Sequence, residues 1–291
     1  MKRKRFKTFD LCNTVMMLFV FIICAYPLYF VLVYSISDPA RVGIGFLLRP
    51  IGFTLESYLI AWREAELPWA TLISVLRVVV GTVTTLFVTS MVAYVLSRKN
   101  LVGRKYILMF FIFTLYVSSG LIPVYILYRN MGLLGTFSVY ILPGLMSVFN
   151  MLIIKTSMEA LPDELTESAK MDGAGYFRIY WQIIIPLSKP VLAAIALFIS
   201  VGHWNSFMDV LLFNARQPHL HTLQYVLYTF TAQRAIALEN MALFAAHGGS
   251  QITTLSLRMA ITIIVVIPIM AVYPFMQRFF VKGLMIGSVK G

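Results

Sequence analysis

Few side chains in this sequence could do chemistry, and they are unevenly placed. His203, Asn205, Ser206 and Asp209 fall in one short stretch beside Trp204 and Phe207. His203 and Ser206 are three apart, as are Ser206 and Asp209, so on a helix they share one face. Hydroxyl, amide and imidazole groups beside aromatic rings suit a sugar, which offers many hydroxyls and apolar C–H faces. Ser147 and Asn150 repeat the spacing in another apolar run. A second group is acidic: Glu159, Asp163, Glu164, Glu167 and Asp172 are five of the 12 Asp and Glu. Enzyme chemistry finds little to work with. The sequence has no G-x4-G-K-S/T phosphate loop, no H-E-x-x-H and no G-x-S-x-G, so neither a nucleotide cradle, a zinc site nor an activated serine is expected. His219 and His221 are a metal pair without further ligands.

The elements that position these groups follow from composition. Of 291 residues, 59% are hydrophobic and 12% charged, with a mean hydropathy of +0.83. A soluble domain has about 25% charged residues, so this chain cannot cover a water-facing surface. A soluble globular enzyme is excluded. Runs of about 20 apolar residues predict six spans near 11–35, 72–97, 106–128, 134–155, 189–213 and 257–281. The fold expected is all-α and polytopic, with tails at 1–10 and 282–291 flanking the 11–281 membrane domain. The first span shows no A-x-A cleavage pattern and is expected to be retained. Cys12 and Cys24 both lie in or beside it, as free thiols.

The net charge of +12 would raise nucleic acid in a soluble protein, but its distribution argues for membrane topology instead. Lys2, Arg3, Lys4, Arg5 and Lys7 precede the first span, and Arg98, Lys99, Arg104 and Lys105 fill the short connection at 98–105. The positive-inside rule then puts both termini in the cytoplasm. Arg77 and Arg258 are expected in outer turns, snorkelling to water. In the outer loop at 36–71, Thr54 can cap a helix with Glu56 in its first turn and Leu59, Ile60 and Trp62 following, which suggests a helix on the outer surface. Gly120 and Pro123, and likewise Pro268 and Pro274, are expected to mark bends inside spans.

The inner loop at 156–188 is neither plainly polar nor without structure. Pro162, Asp163 and Glu164 suit the first turn of a helix, which Gly173 and Gly175 end. A second helical stretch from Tyr176 reaches Pro186. An interfacial amphipathic hairpin would look similar. The spacing of Glu167, Ser168, Ala169, Gly173, Ile183 and Pro186 resembles the EAA loop, E-A-A-x3-G-x9-I-x-L-P, of permease subunits of binding-protein-dependent ABC importers. Ser168 stands in place of one Ala and Ile185 in place of Leu, both with little change of size or polarity.

The resemblance implies a coupling helix, with Glu167, Ser168, Ala169, Asp172, Gly173, Ile183 and Pro186, that docks in a cleft of a separate ATPase. The C-terminal stretch Gly283 to Gly291 is similar to that of maltose-transporter-type permeases, which implies that Gly287, Val289, Lys290 and Gly291 reach the ATPase interface. Leu187 to Ala193, Gly202 to Ser206 and Val272 to Phe275 resemble carbohydrate importers whose substrates include complex oligosaccharides and uronates. The partners implied are a second, homologous permease forming a heterodimer, an ATPase dimer, an extracytoplasmic solute-binding protein and membrane lipid. This chain is expected to bind no cofactor itself, ATP and Mg2+ being used by the ATPase, and to reside in a bacterial cell membrane. His203, Trp204, Asn205, Ser206, Ser147 and Asn150 are candidates for the substrate path. The same groups would also serve to hold the two permeases together. The competing class, an ion-coupled secondary transporter, needs intramembrane carboxylates and broken helices in matched halves; Asp209 is the only acid available within the spans.

Overall fold

The computed structural model describes residues 8–38, 41–42, 45–64, 66–239 and 255–271. The tail residues Gly287, Val289, Lys290 and Gly291, and Pro274, lie outside these. Among the described residues the architecture is helical, and the one β feature is an isolated bridge between Ser37 and Phe53. Among the described residues two helices are long and apolar enough to cross a membrane unbroken, α1 (Thr8–Ser35) and α3 (Leu67–Ser97). Three further apolar stretches are bent. The predicted span at 106–128 is α4 (Arg104–Tyr116) and α5 (Leu121–Asn130), turned through 114° at the intervening residues. Gly120 supports that turn at φ +80°, a left-handed value that favours glycine. The stretch at 134–155 is instead a pair of 3-10 turns, Phe137–Tyr140 and Leu142–Gly144, meeting α6 (Val148–Glu159) at 48°.

The acidic loop folds as α7 (Glu164–Met171) and α8 (Tyr176–Leu187), and α8 bends by 84° into α9 (Lys189–Asn205). The span expected at 189–213 therefore stops at Asn205, where Ser206 takes an extended ψ of 128°. A π-turn at Val210–Asn214 follows. The long outer loop at 214–256 contains α10 (Leu223–Glu239), a helix that apolar-run counting did not predict. The last described element is α11 (Leu255–Ala271), which runs through Pro268.

The chain divides into two compact units, residues 1–67 with 227–267, and residues 68–226 with 268–291. In the first unit, Val33, Tyr34, Val42 and Leu47 form a small core, with Leu255 and Met259 packed on it. The loop helix α2 (Glu56–Glu64) begins as expected, with the Glu56 N–H donating to Thr54 Oγ1 at 3.1 Å. Its small residues Ser57 and Ala61 face inward, while Leu55, Leu59 and Trp62, at helical spacing, are exposed. The Tyr58 hydroxyl meets Ser35 Oγ at 2.7 Å and ties α2 to the end of α1.

In the second unit a core joins α3 (Ala93, Tyr94, Leu96), α6 (Met151, Ile154, Met158), α8 (Ile179, Tyr180, Ile184) and α9 (Leu192, Ile195, Ile199), with Ala169 of α7 at its edge. Between membrane helices such contacts hold by close van der Waals packing and interhelical hydrogen bonds rather than by removal from water. The α7–α8 hairpin is thus mounted on packed helices.

Candidate functional site

The hairpin owes its shape to two residue types. Gly173 has φ +77°, and the bonds around it close a Schellman turn: the Gly173 N–H donates to the Lys170 carbonyl at 3.0 Å and the Ala174 N–H to the Ala169 carbonyl at 2.9 Å. These satisfy two carbonyls that the helix end would otherwise leave unpaired. A Cβ at Gly173 would meet nothing within 4 Å, so glycine is needed for its backbone conformation rather than for space. Pro186 explains the other end. It lacks an N–H, and in a regular helix its ring would press on the carbonyl of Gln182. Residues Tyr180–Ile184 form a π-turn ahead of it, in which the Ile185 N–H donates to the Tyr180 carbonyl. That wider turn accommodates the proline. It also keeps Tyr180 and Ile184 in the core, with half-buried Ile183 packed against it.

The two faces of α7 differ. Thr166 and Ala169 are buried, whereas Glu167, Ser168, Met171, Asp172 and Gly173 are exposed, Met171 to 88%. Tyr176, Phe177 and Trp181 continue an exposed apolar surface along α8, and Lys170 Nζ lies 4.9 Å above the Tyr176 ring. The buried side is held by hydrogen bonds: Ser90 Oγ to the Tyr180 hydroxyl at 2.8 Å, and the Tyr94 hydroxyl donating to the Tyr176 carbonyl at 3.2 Å. Cations of the α3–α4 turn hold the approach to α7. Arg98 donates to Thr166 Oγ1 at 2.9 Å while its guanidinium lies 4.3 Å over the Tyr94 ring. Lys99 meets Asp163 at 2.8 Å, and Arg104 pairs with Glu159. The hydrogen bond from Lys99 holds the Asp163 carboxyl below the ordinary carboxylate range, and the same bond raises Lys99.

A second polar cluster lies where α3 crosses α9. Arg77 does not snorkel to an outer turn as the sequence suggested: it is 3% exposed and forms an ion pair with Asp209. The reason is that α3 starts at Leu67, which sets Arg77 ten residues, about 15 Å, along the helix. Arg77 also donates to the Ser206 carbonyl at 3.3 Å and lies 4.7 Å over the Tyr140 ring. Asp209 accepts from the Ser206 hydroxyl and the Val210 N–H, each at 3.0 Å. One turn along α3, Gly81 receives His203: a Cβ there would come within 2.4 Å of His203 Nε2. Thr82 and Ser200 share a hydrogen bond at 2.9 Å nearby.

The predicted path residues are thus divided. His203 packs on α3, Trp204 is buried, and the Ser206 hydroxyl and carbonyl are engaged with Asp209 and Arg77. The shared helical face does not extend past the end of α9 at Asn205. Asn205 is exposed, along with Gly202 and Phe198 at helical spacing. Ser147 caps α6 by accepting from the Asn150 N–H at 3.3 Å, and its own N–H meets Thr89 Oγ1 at 3.4 Å. Asn150 is half-buried. Sequence reasoning missed Tyr140 and Asn214. The Asn214 side chain is 1% exposed; it accepts from the Gly135 N–H at 2.9 Å and donates to the Thr136 carbonyl at 3.1 Å. No local sequence pattern signals either residue, because both act across more than 60 positions.

A family model described as the inner membrane component of binding-protein-dependent transport systems matches residues 3–286. Protein LplC of Bacillus subtilis (strain 168) is 36% identical, over 98% of this chain and 96% of its own length. The polygalacturonan/rhamnogalacturonan transport system permease protein YtcP of the same organism is 32% identical, over 98% of this chain and 99% of its own. A solved chain from a bacterial ABC transporter involved in the import of the acidic polysaccharide alginate superposes with a TM-score of 0.82 at 26% identity. That match covers 96% of this chain and 100% of the other.

Proposed function

Because the chain belongs to the family of inner membrane components of binding-protein-dependent transport systems, we propose that it is one permease of an ABC importer for an acidic oligosaccharide. The observation that carries this reading is the α7–α8 hairpin, which presents Glu167, Ser168, Met171 and Asp172 outward from a packed mount. Such a surface suits a protein partner: charged groups set its register and the apolar groups around Met171 and Phe177 supply contact area. The partner is a separate ATPase dimer that uses ATP and Mg2+, with both chain termini on its side of the membrane. Gly287, Val289, Lys290 and Gly291 approach that dimer in the same scheme.

Six spans are proposed: α1, α3, α4 with α5, the bent stretch ending in α6, α9 and α11. A second, homologous permease completes the pathway, and a solute-binding protein delivers substrate from outside. ATP binding favours the closed ATPase dimer, the hairpins move with it, and the pathway opens outward; hydrolysis resets it. Of the path candidates His203, Trp204, Asn205, Ser206, Ser147 and Asn150, Asn205 is the one whose exposure leaves it most available to substrate or partner. An ion-coupled mechanism would need Asp209 to exchange protons, yet Asp209 is engaged by Arg77. The acidic substrate class is supported by the names of the similar proteins, which include polygalacturonan/rhamnogalacturonan and alginate importers.

Two experiments test the reading. Co-purification of the chain with its ATPase is expected to be lost on Gly173→Asp or on deletion of residues 161–186, and retention after that deletion would refute the coupling assignment. Uptake by the reconstituted transporter with its binding protein is expected for uronate oligosaccharides; uptake of neutral ones alone would refute the substrate class.

A further inference from the structure

The α3–α4 turn contributes three cations to the hairpin and the segment leading into it, each to a different point. Arg98 reaches Thr166 in the first turn of α7, Lys99 reaches Asp163 just ahead of it, and Arg104 reaches Glu159 at the end of α6. They are not equivalent. Lys99 and Asp163 are 66% and 62% exposed, and such a pair is worth little. Arg104 and Glu159 are 27% and 24% exposed, so their attraction is less screened by solvent. Arg104 also donates from Nε to the Leu96 carbonyl at 2.8 Å, and Glu159 also accepts from Lys155 at 2.8 Å. One guanidinium thereby joins the last turn of α3, the first residue of α4 and the last residue of α6. Arginine suits this task, since its planar fork serves two acceptors in fixed directions.

We propose that Arg104 is a positioning residue for energy coupling: through Glu159 it makes the α3–α4 turn move with the α7–α8 hairpin. This rests on the reading of the hairpin as the ATPase-contacting element. The hairpin is joined covalently to α6 before it and to α9 after it, and it packs on α3 through Tyr94 and Tyr180; the Arg104 contact adds a link from the α6 end to the start of α4. The contact carries movement at the α6 end of the hairpin to the last turn of α3 as well, reinforcing the direct packing on that helix, which carries Arg77 and Gly81 at the crossing with α9. Two helices that meet at the α3–α9 crossing are then driven together. Arg104 touches neither substrate nor nucleotide in this scheme; it fixes how far hairpin movement is transmitted.

The test uses the complete transporter in liposomes, with its ATPase and binding protein, and measures ATP hydrolysed per substrate imported. Arg104→Ala is expected to assemble normally and to raise that ratio severalfold. Arg104→Lys, which keeps the cation but not the fork, is expected to recover part of the loss, and Lys99→Ala to match the wild type. An unchanged ratio in Arg104→Ala would overturn the proposal. So would failure of that variant to assemble, an equal defect in Lys99→Ala, or no recovery in Arg104→Lys, since each points to bulk stability or general charge. If the wild-type complex imports nothing at the expense of ATP, the importer reading fails rather than the role of Arg104.

Discussion

The α7–α8 hairpin and the α3–α9 crossing use similar residues to opposite ends. At the hairpin, Glu167 and Asp172 are exposed on a helix whose other face is packed. At the crossing, Arg77 and Asp209 are turned toward each other, with Ser206, Val210 and Tyr140 around them. A charge left at the surface of a rigid element is available to a partner. A charge buried against its counter-ion belongs to the architecture, because removing one partner leaves the other desolvated. On the reading proposed above, the difference separates residues for docking from residues for folding, although both groups look equally polar in the sequence.

The largest effect that would break this distinction is expected at the crossing. Asp209→Ala should destabilise the chain by about 3–5 kcal/mol, the cost of stranding a buried charge. Thermal unfolding in detergent would show it. Replacing both partners, Arg77→Met with Asp209→Leu, should recover most of that loss. If Asp209→Ala unfolds like the wild type, the pair is not architectural. Next in size is Gly81→Ala, whose Cβ would collide with His203 at 2.4 Å; crowding of this kind costs about 1–3 kcal/mol. Adding His203→Ala should relieve it, and additive losses in the double variant would contradict the contact.

At the hairpin the expected effects are smaller and fall on assembly. Gly173→Ala should cost about 1–2 kcal/mol locally, the penalty of a left-handed residue with a Cβ. It should weaken ATPase co-purification while leaving the unfolding temperature of the isolated chain nearly unchanged. Gly173→Asn should be milder, because asparagine tolerates that conformation. The smallest effect concerns Lys99 and Asp163. The Asp163 carboxyl is lowered by its bond to Lys99, so its stabilisation is present above the ordinary Asp value, about 3.9, and is lost as pH falls through the lowered one. Lys99 is raised, so its stabilisation is present below the ordinary Lys value, about 10.4, and is lost as pH rises through the raised one. The difference in stability between wild type and Lys99→Met should therefore be small and flat across neutral pH, shrinking only at the two extremes. A change near pH 7 would indicate a different partner.

Much of the hairpin was legible because its determinants are local. Glycine at a helix end and proline after a helical run act within a few residues, and the structure places a Schellman turn and a π-turn at those two points. The cap at Thr54 was legible for the same reason. Counting apolar residues measured how much of the chain avoids water, and it located α1 and α3. It carries no information on backbone continuity, so the end of α9 at Asn205 was not visible; the bend between α4 and α5 was signalled by Gly120 and Pro123, though not its sharpness. The helix α10 was hidden because its composition is less apolar than that of a span. Arg77 was misplaced by a five-residue error in the start of α3, enough to move it from an outer turn to a buried pair. Arg104 read as a topology signal alone, and its partner Glu159 lies 55 positions away.

The central claim, that the exposed face of α7 meets an ATPase, is tested most directly by a crosslink. In a chain with Cys12 and Cys24 replaced by Ser, Met171→Cys should crosslink to the ATPase in the assembled complex with a short bifunctional reagent. Cysteine at buried Ala169, on the opposite face, should not. Equal crosslinking from both positions, or none from Met171 in a complex that still hydrolyses ATP and imports substrate, would contradict it.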